Sequence, residues 1–356
     1  MRLFSIFLLL LLTACTDSNV RPVAVAAGES HSLILKSDGT LWAAGYNGFG
    51  QLGTGNRKEA HEFTKVLSDV IAVAANANYS LALKKDGTLY ATGRNKEGQL
   101  GLGDSVDRDD FSKVMSDVSA IAAGQTHALA LKKNGTLWAA GQNGDGQLGI
   151  GDQKPRDRFV KVLDGVSAIA AGGFHSLALK EDGTLWGAGN NAYRQLGLQP
   201  GQTLPAFAPV AIQIKSFTAG EFHTLAIRSE GTLWAAGNNS FGQLGNGGRQ
   251  VVEPGLVLNL PGLRALAAGD RFSFFIGEQS EVAGRNVQGQ VGLGHRNDQH
   301  QRIALPWKMI AAAGRASHSL VIRDDGSVWA SGRNDSGQLG TGDTKDVQSW
   351  VQVMKK

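Results

Sequence analysis

The sequence predicts an all-β fold, a seven-bladed β-propeller with four short strands per blade, on three observations. The tetrapeptide GQLG or a near copy ends at Gly53, Gly101, Gly149, Gly197, Gly245, Gly292 and Gly340, at spacings of 48 residues and once 47. A second marker, DGTLW or a variant, recurs at Asp38–Trp42, Asp86–Tyr90, Asn134–Trp138, Asp182–Trp186, Glu230–Trp234 and Asp325–Trp329 and is missing only from the sixth unit. Every unit alternates apolar and polar residues with period two, and none carries a helical period. Repeats of this length built from short strands make a closed propeller rather than a helical solenoid.

The third unit shows the elements in order. Ser119–Gly124 is a short apolar run, and His127–Lys132 alternates as a half-buried strand should. Lys133–Thr136 is a tight turn in which Gly135 takes the positive φ that hairpins demand, and Leu137–Gly141 returns as a third strand. The long polar segment Gln142–Arg158 precedes a fourth strand at Phe159–Val162. At the chain's ends the first element opens at Val23–Gly28, and Trp350–Met354 is the counterpart of Phe111–Met115. Every element is therefore present seven times, and whether the terminal strands share a blade is left open. Seven units fill Pro22 to Lys356 and leave no room for another domain.

Composition agrees. The chain has 48 glycines in 356 residues, with only 8 prolines and 1 cysteine, and 42% of it is hydrophobic, so it is neither disordered, collagenous nor disulfide-stapled. The formal charge of +4 comes from 35 basic and 31 acidic residues without a like-charge run, which disfavours nucleic acid as a partner.

The first residues are a different kind of sequence. Arg2 and the apolar stretch Phe4–Leu12 read as a secretory signal peptide over residues 1–14, too short to span a bilayer as a mature helix. Leu12-Thr13-Ala14-Cys15 resembles the lipobox of bacterial lipoproteins, which implies lipidation of Cys15 and a membrane anchor through acyl chains. Residues 15–21 are then the lipidated N-terminus and a polar tether. The residue after the cysteine is Thr16, with Asp17 one place later, which points to the outer membrane of a cell envelope rather than the inner one.

The motif AAGxxHSLALKxDGTLWAAGxNxxGQLGxG covers essentially the whole body and resembles the RCC1 (regulator of chromosome condensation) repeat family. The resemblance implies an RCC1-type seven-bladed propeller over residues 22–356 that binds proteins. Roles in that family include guanine-nucleotide exchange on the GTPase Ran, chromatin docking, plant UV-B sensing and inhibition of β-lactamases by a secreted bacterial member. A secreted lipoprotein does not meet a cytoplasmic GTPase. The photoreceptor's GWRHT motif is replaced here by GESHS, GQTHA, GGFHS or GEFHT.

Residues that tempt a catalytic reading recur with the blades. His31, His127, His175, His223 and His318 share one position, which Tyr79 and Phe272 fill elsewhere, as expected of a packed strand-start residue and not a metal ring. The GxGxxG matches at Gly48–Gly53 and Gly144–Gly149 lack the following helix a dinucleotide site needs. Asp104, Asp107, Asp109 and Asp110 read as a solvated loop, since they lack the EF-hand order. No catalytic residue, cofactor or metal is therefore expected.

In an up-and-down blade the first and third connections share one face. Here these are the GxxH loop and the long GxNxxGQLG segment, so this face is varied while the other carries short turns. A protein partner is expected on the varied face, at Tyr46, Phe49, Arg94, Phe174, Tyr193, Arg194, Phe222, Phe241, Arg285 and Arg333, about half of them exposed. Alternatives are inhibition of an envelope enzyme such as a β-lactamase, and an enzyme or sugar-binding site at the channel mouth built on Asp270, Glu278 and Glu281 of the divergent sixth unit.

Overall fold

A computed structural model describes residues 20–199, 201, 203–250, 256–260 and 262–355. Cys15 and the leader lie outside the described residues. Among those described, no helix is long and apolar enough to cross a membrane.

Seven four-stranded antiparallel sheets surround a central channel. Blade one consists of β1 (Pro22–Ala27), β2 (His31–Lys36), β3 (Leu41–Gly45) and β4 (Ala60–Leu67). The other blades repeat this order over 70–115, 118–163, 166–211, 214–258, 265–304 and 309–354. The innermost strands line the channel with small residues such as Ala26, Ala74, Ala122 and Ala170. The second and third strands carry the core leucines, such as Leu33, Leu41, Leu81 and Leu89, all fully buried. The outermost strand is half-exposed and longer than the sequence suggests: in blade three it runs Arg156–Leu163, because Gly141 pairs with Arg156 beyond a bulge.

Each sheet is built from four consecutive strands, so the first and last strands share no blade. The ring closes where blade seven packs on blade one, by two contacts that most other junctions share. One is the outermost aromatic. Phe63 lies over Gly340 of blade seven as Phe111 lies over Gly53 and Phe159 over Gly101; a Cβ on any of these glycines would collide with the ring. The last glycine of GQLG is thus required both by its positive φ, 68° at Gly53, and by the neighbouring blade.

The second contact is a hydrogen-bonded relay. The Ser32 hydroxyl donates to the Gln338 carbonyl at 2.6 Å, so its oxygen accepts from His318 Nε2 at 2.9 Å. Ser80 does the same for Gln51 and His31, and Ser176 for Gln147 and His127. His175 bonds Thr224 at 3.0 Å and His223 bonds Ser273 at 2.9 Å. Where the hydroxyl proton goes to a carbonyl, the imidazole must be the donor, which fixes a neutral ring with hydrogen on Nε2. The recurring histidines are thus buried seam residues whose Nε2 is engaged by a hydroxyl of the next blade. Burial holds their pKa far below the usual 6.5, at about 3 for His31, His127, His175 and His223 and about 4 for His318.

The two seams without histidine show what the relay demands. Tyr79 sends its hydroxyl to the carbonyls of Gly124 at 2.9 Å and His127 at 2.5 Å, and the residue that would have met an imidazole is Ala128 rather than serine. Phe272 can donate nothing, and the facing Ser319 hydroxyl is buried without a hydrogen-bond partner.

Candidate functional site

The long third connection of each blade is shaped by its own amides. In blade one, Asn47 Oδ1 accepts from the Leu52 N–H at 2.9 Å while its Nδ2 donates to the carbonyls of Asn56 and Lys58, and Gln51 Oε1 accepts from the Phe49 N–H at 3.1 Å. Equivalent Asn and Gln side chains are buried in all seven blades. A rigid clamp therefore presents the variable residues between them. The acidic loop of blade two is part of such a clamp: Asp104 pairs with Arg108 at 2.6 Å, Asp107 accepts from the Asn95 N–H, and Asp109 pairs with Arg57 at 2.9 Å.

Eight of the ten expected residues fall into two groups, and Arg194 and Arg333 stand outside them. Tyr46 and Phe49 meet edge to face at 6.2 Å, and the Arg94 guanidinium lies 5.5 Å from the Phe49 ring centre. On blades four to six, Phe222 stacks on Phe174 at 5.4 Å and meets Tyr193 at 5.0 Å, while Arg285 and Arg271 lie 5.2 and 5.7 Å from the Phe241 ring centre. Only Tyr193, at 40%, and Arg333 are exposed; the other eight are half-buried, fewer in the open than expected. The cause is mutual cover, since ring on ring and guanidinium on ring remove apolar surface from water. Arg194 has a φ of 65° where six other blades have glycine at this place, a backbone posture that L residues disfavour.

At the channel mouth on this face the residue after each GxxH glycine comes forward. Asp270 Oδ1 lies 2.7 Å from Arg315 Nε, and Glu221 Oε2 lies 3.1 Å from Arg271 Nε. Burial, and then the Asp270 charge, push the Glu221 carboxyl above its ordinary range, against the pull of Arg271. Sequence reasoning missed Arg271, Arg315 and Glu221. Gly314 masks the signal, because it makes the unit read as G-x-x-x-H; only the pairing of Arg315 with His318, like that of Asn76 with Tyr79, shows that Arg315 occupies the glycine position.

The catalytic alternative in the sixth blade fails on geometry. Asp270 stands in the first connection, at the mouth, whereas Glu278 and Glu281 belong to the hairpin turn at the opposite face, where Glu281 pairs with Arg302 at 3.0 Å. The three carboxylates share no site. Among the described residues no three His, Cys, Asp or Glu side chains gather as metal ligands.

A family model described as an RCC1-like domain matches residues 11–216, and models of the RCC1 repeat match 214–243 with 311–338 and 230–276 with 325–354. The X-linked retinitis pigmentosa GTPase regulator of Mus musculus is 34% identical over 95 residues, 25% of this chain and 10% of that protein. Protein RCC2 of Homo sapiens is 45% identical over 42 residues, 12% and 8% respectively. The matched stretches thus span a tenth or less of those proteins. Among solved structures, Prp20p from Saccharomyces cerevisiae, whose binding to Gsp1p and histones was studied with it, superposes with a TM-score of 0.80 at 21% identity, over 95% of this chain and 87% of that one. Human WBSCR16 gives 0.76 at 22%, over 86% and 87%. At such identities the likeness is one of fold.

Proposed function

The chain belongs to the RCC1 repeat family, and from that membership we propose a protein-binding propeller, without chemistry of its own, held in a bacterial cell envelope by a lipid on Cys15. RCC1-like propellers are typically interaction or regulatory modules. The observation that carries the reading is the unequal use of the two faces. Rings and guanidiniums that do not repeat from blade to blade collect on the face whose loops are clamped by buried amides, and rigid loops bearing Tyr, Phe and Arg are the usual material of binding hot spots. Phe222 is the centre of the larger group, with Phe174 on one side and Tyr193 on the other.

The tests separate anchor from docking. Cys15→Ser should abolish fatty-acid labelling of the expressed chain and release it from membranes; labelling that persists overturns the anchor. Capture of envelope proteins by the full chain should yield a partner that Phe222→Ala and Tyr193→Ala lose, whereas Lys133→Ala, on the opposite face, keeps it. A partner lost with Lys133→Ala and retained by the aromatic variants would overturn the choice of face.

A further inference from the structure

Five units place a glycine three residues before the ring that starts the second strand, because the ring lies flat over it, as His31 does over Gly28. Blade two has Asn76 there, and its amide is consumed locally, donating to the Ala123 carbonyl at 2.9 Å and accepting from the Ala77 N–H at 2.7 Å. Blade seven has Arg315, and the next residue, Ala316, is held at a φ of 27°. Nothing in the repeat architecture asks for an arginine at this place.

The Arg315 side chain stands at the mouth of the channel. Only 7% of the residue is exposed; its Nε reaches Asp270 of blade six, and its charge acts on Tyr79 of blade two, His127 of blade three and Glu221 of blade five. It borders a cavity of about 330 Å³, shared with Glu29, Gln125, Glu221, Asp270 and Arg285. The internal charges are matched: Asp270 takes Arg315 through Nε, and Glu221 takes Arg271. Three buried polar atoms of the cavity's lining residues have no hydrogen-bond partner, and one of them, Asp270 Oδ1, is met by the Arg315 ion pair. Arg285 Nε has no hydrogen-bond acceptor and Gln125 Oε1 has no donor. The Arg285 guanidinium is already oriented by the Phe241 ring.

An unmatched guanidinium N–H calls for an anion, best a planar carboxylate, and an unmatched amide oxygen calls for an N–H. One ligand supplies both: a peptide carboxylate with the amide next to it. We propose that the channel mouth binds a carboxylate of a partner's peptide, held by Arg285 and by the two Nη groups of Arg315, while Gln125 Oε1 accepts an amide N–H of the same segment. The carboxylate comes from a chain terminus or an acidic side chain. The proposal rests on the reading of this face as the protein-binding face.

The test is fluorescence anisotropy of the purified full chain with dye-labelled Gly-Gly-Ala bearing a free terminus, with its C-terminal amide, and with Gly-Glu-Gly-amide. Saturable binding that salt weakens is expected for the free terminus, for the Glu side chain, or for both, the two arms telling the sources apart. The uncharged Gly-Gly-Ala amide should bind at least about tenfold more weakly, and Arg285→Gln should cause a similar loss. Arg315→Lys should also weaken binding, with thermal unfolding as the check on its fold; if it unfolds, Arg285→Gln decides, since its ring contact is with Phe241 at the rim. Equal binding of acid and amide, unchanged binding by Arg285→Gln, or no saturation with either carboxylate probe overturns the proposal. Partner capture that survives Arg285→Gln but not Phe222→Ala leaves the docking face standing and removes the carboxylate site alone.

Discussion

Acidification to pH 5.5 should bring the propeller close to unfolding, and the seam histidines set the size of the effect. Each of the five is neutral and buried in the fold, at a pKa of about 3 or about 4, and titrates near 6.5 once the chain unfolds. The folded pKa lies below the unfolded one, so the unfolded state binds more protons and stability rises with pH. The contribution is fully present above pH 6.5 and is lost progressively as pH falls from there toward about 3. At pH 5.5 the folded rings are still neutral, so the loss follows from the unfolded value and comes to between about 1 and 2 kcal/mol per ring. Five rings together give about 7 kcal/mol, comparable with the ~5–15 kcal/mol that holds a typical domain. The carboxylates held below their ordinary range, such as Asp38 and Asp104, weaken the fold only at still lower pH. Urea titrations followed by tryptophan fluorescence at pH 7.5, 6.5 and 5.5 give the measurement, with a steep fall of the midpoint between the last two. His175→Gln should flatten that dependence by about one proton. A midpoint that stays put from pH 7.5 to 5.5 would refute the reasoning.

The odd seams yield two further tests. Ser319→Ala removes a buried hydroxyl with no partner and should be neutral or stabilising by up to about 1 kcal/mol, whereas Ser32→Ala, which strands His318 Nε2 and the Gln338 carbonyl, should cost about 1–3 kcal/mol. Equal effects in thermal unfolding would count against the relay. At the second seam, Tyr79→His alone should destabilise, and adding Ala128→Ser should restore a His-to-hydroxyl link, with a favourable coupling of about 0.5–3 kcal/mol in the double-mutant cycle; additivity would show that the two positions do not answer each other.

Most of the scaffold was legible because it is written seven times. A strand boundary inferred in one unit is repeated by six others, so His127–Lys132 and Leu137–Gly141 appear as read, and the glycines of GQLG announce the close approach that Phe63 and Phe111 make. The outermost strand was underestimated because its first residues, such as the half-buried Arg156 and the exposed Asp157, are polar; edge pairing leaves no apolar alternation to detect. The face that carries the variable loops follows from the parity of antiparallel strands. How far its residues lie open does not, since cover depends on which neighbour a ring meets across a blade junction: Phe174 and Phe222 are 48 residues apart in sequence and stacked in space. The mouth was illegible for another reason. Its chemistry consists of single departures from the repeat, and Gly314 disguises the departure at Arg315.

No sheet takes strands from both ends of the chain: blade seven meets blade one through the single bridge of Glu62 with Thr341, the Gly342 N–H donating to the His61 carbonyl at 2.9 Å, and the relay and ring-over-glycine contact that most other junctions share. No sheet marks one blade as the first. Cutting the chain in the Ser116–Asp117 turn and splicing its ends through a short linker would move the nick without changing a single pairing, and a whole repeat could be gained or lost by the gene with every sheet left intact. The count of seven is then held by how neighbouring blades pack, and not by a sheet shared between the two ends.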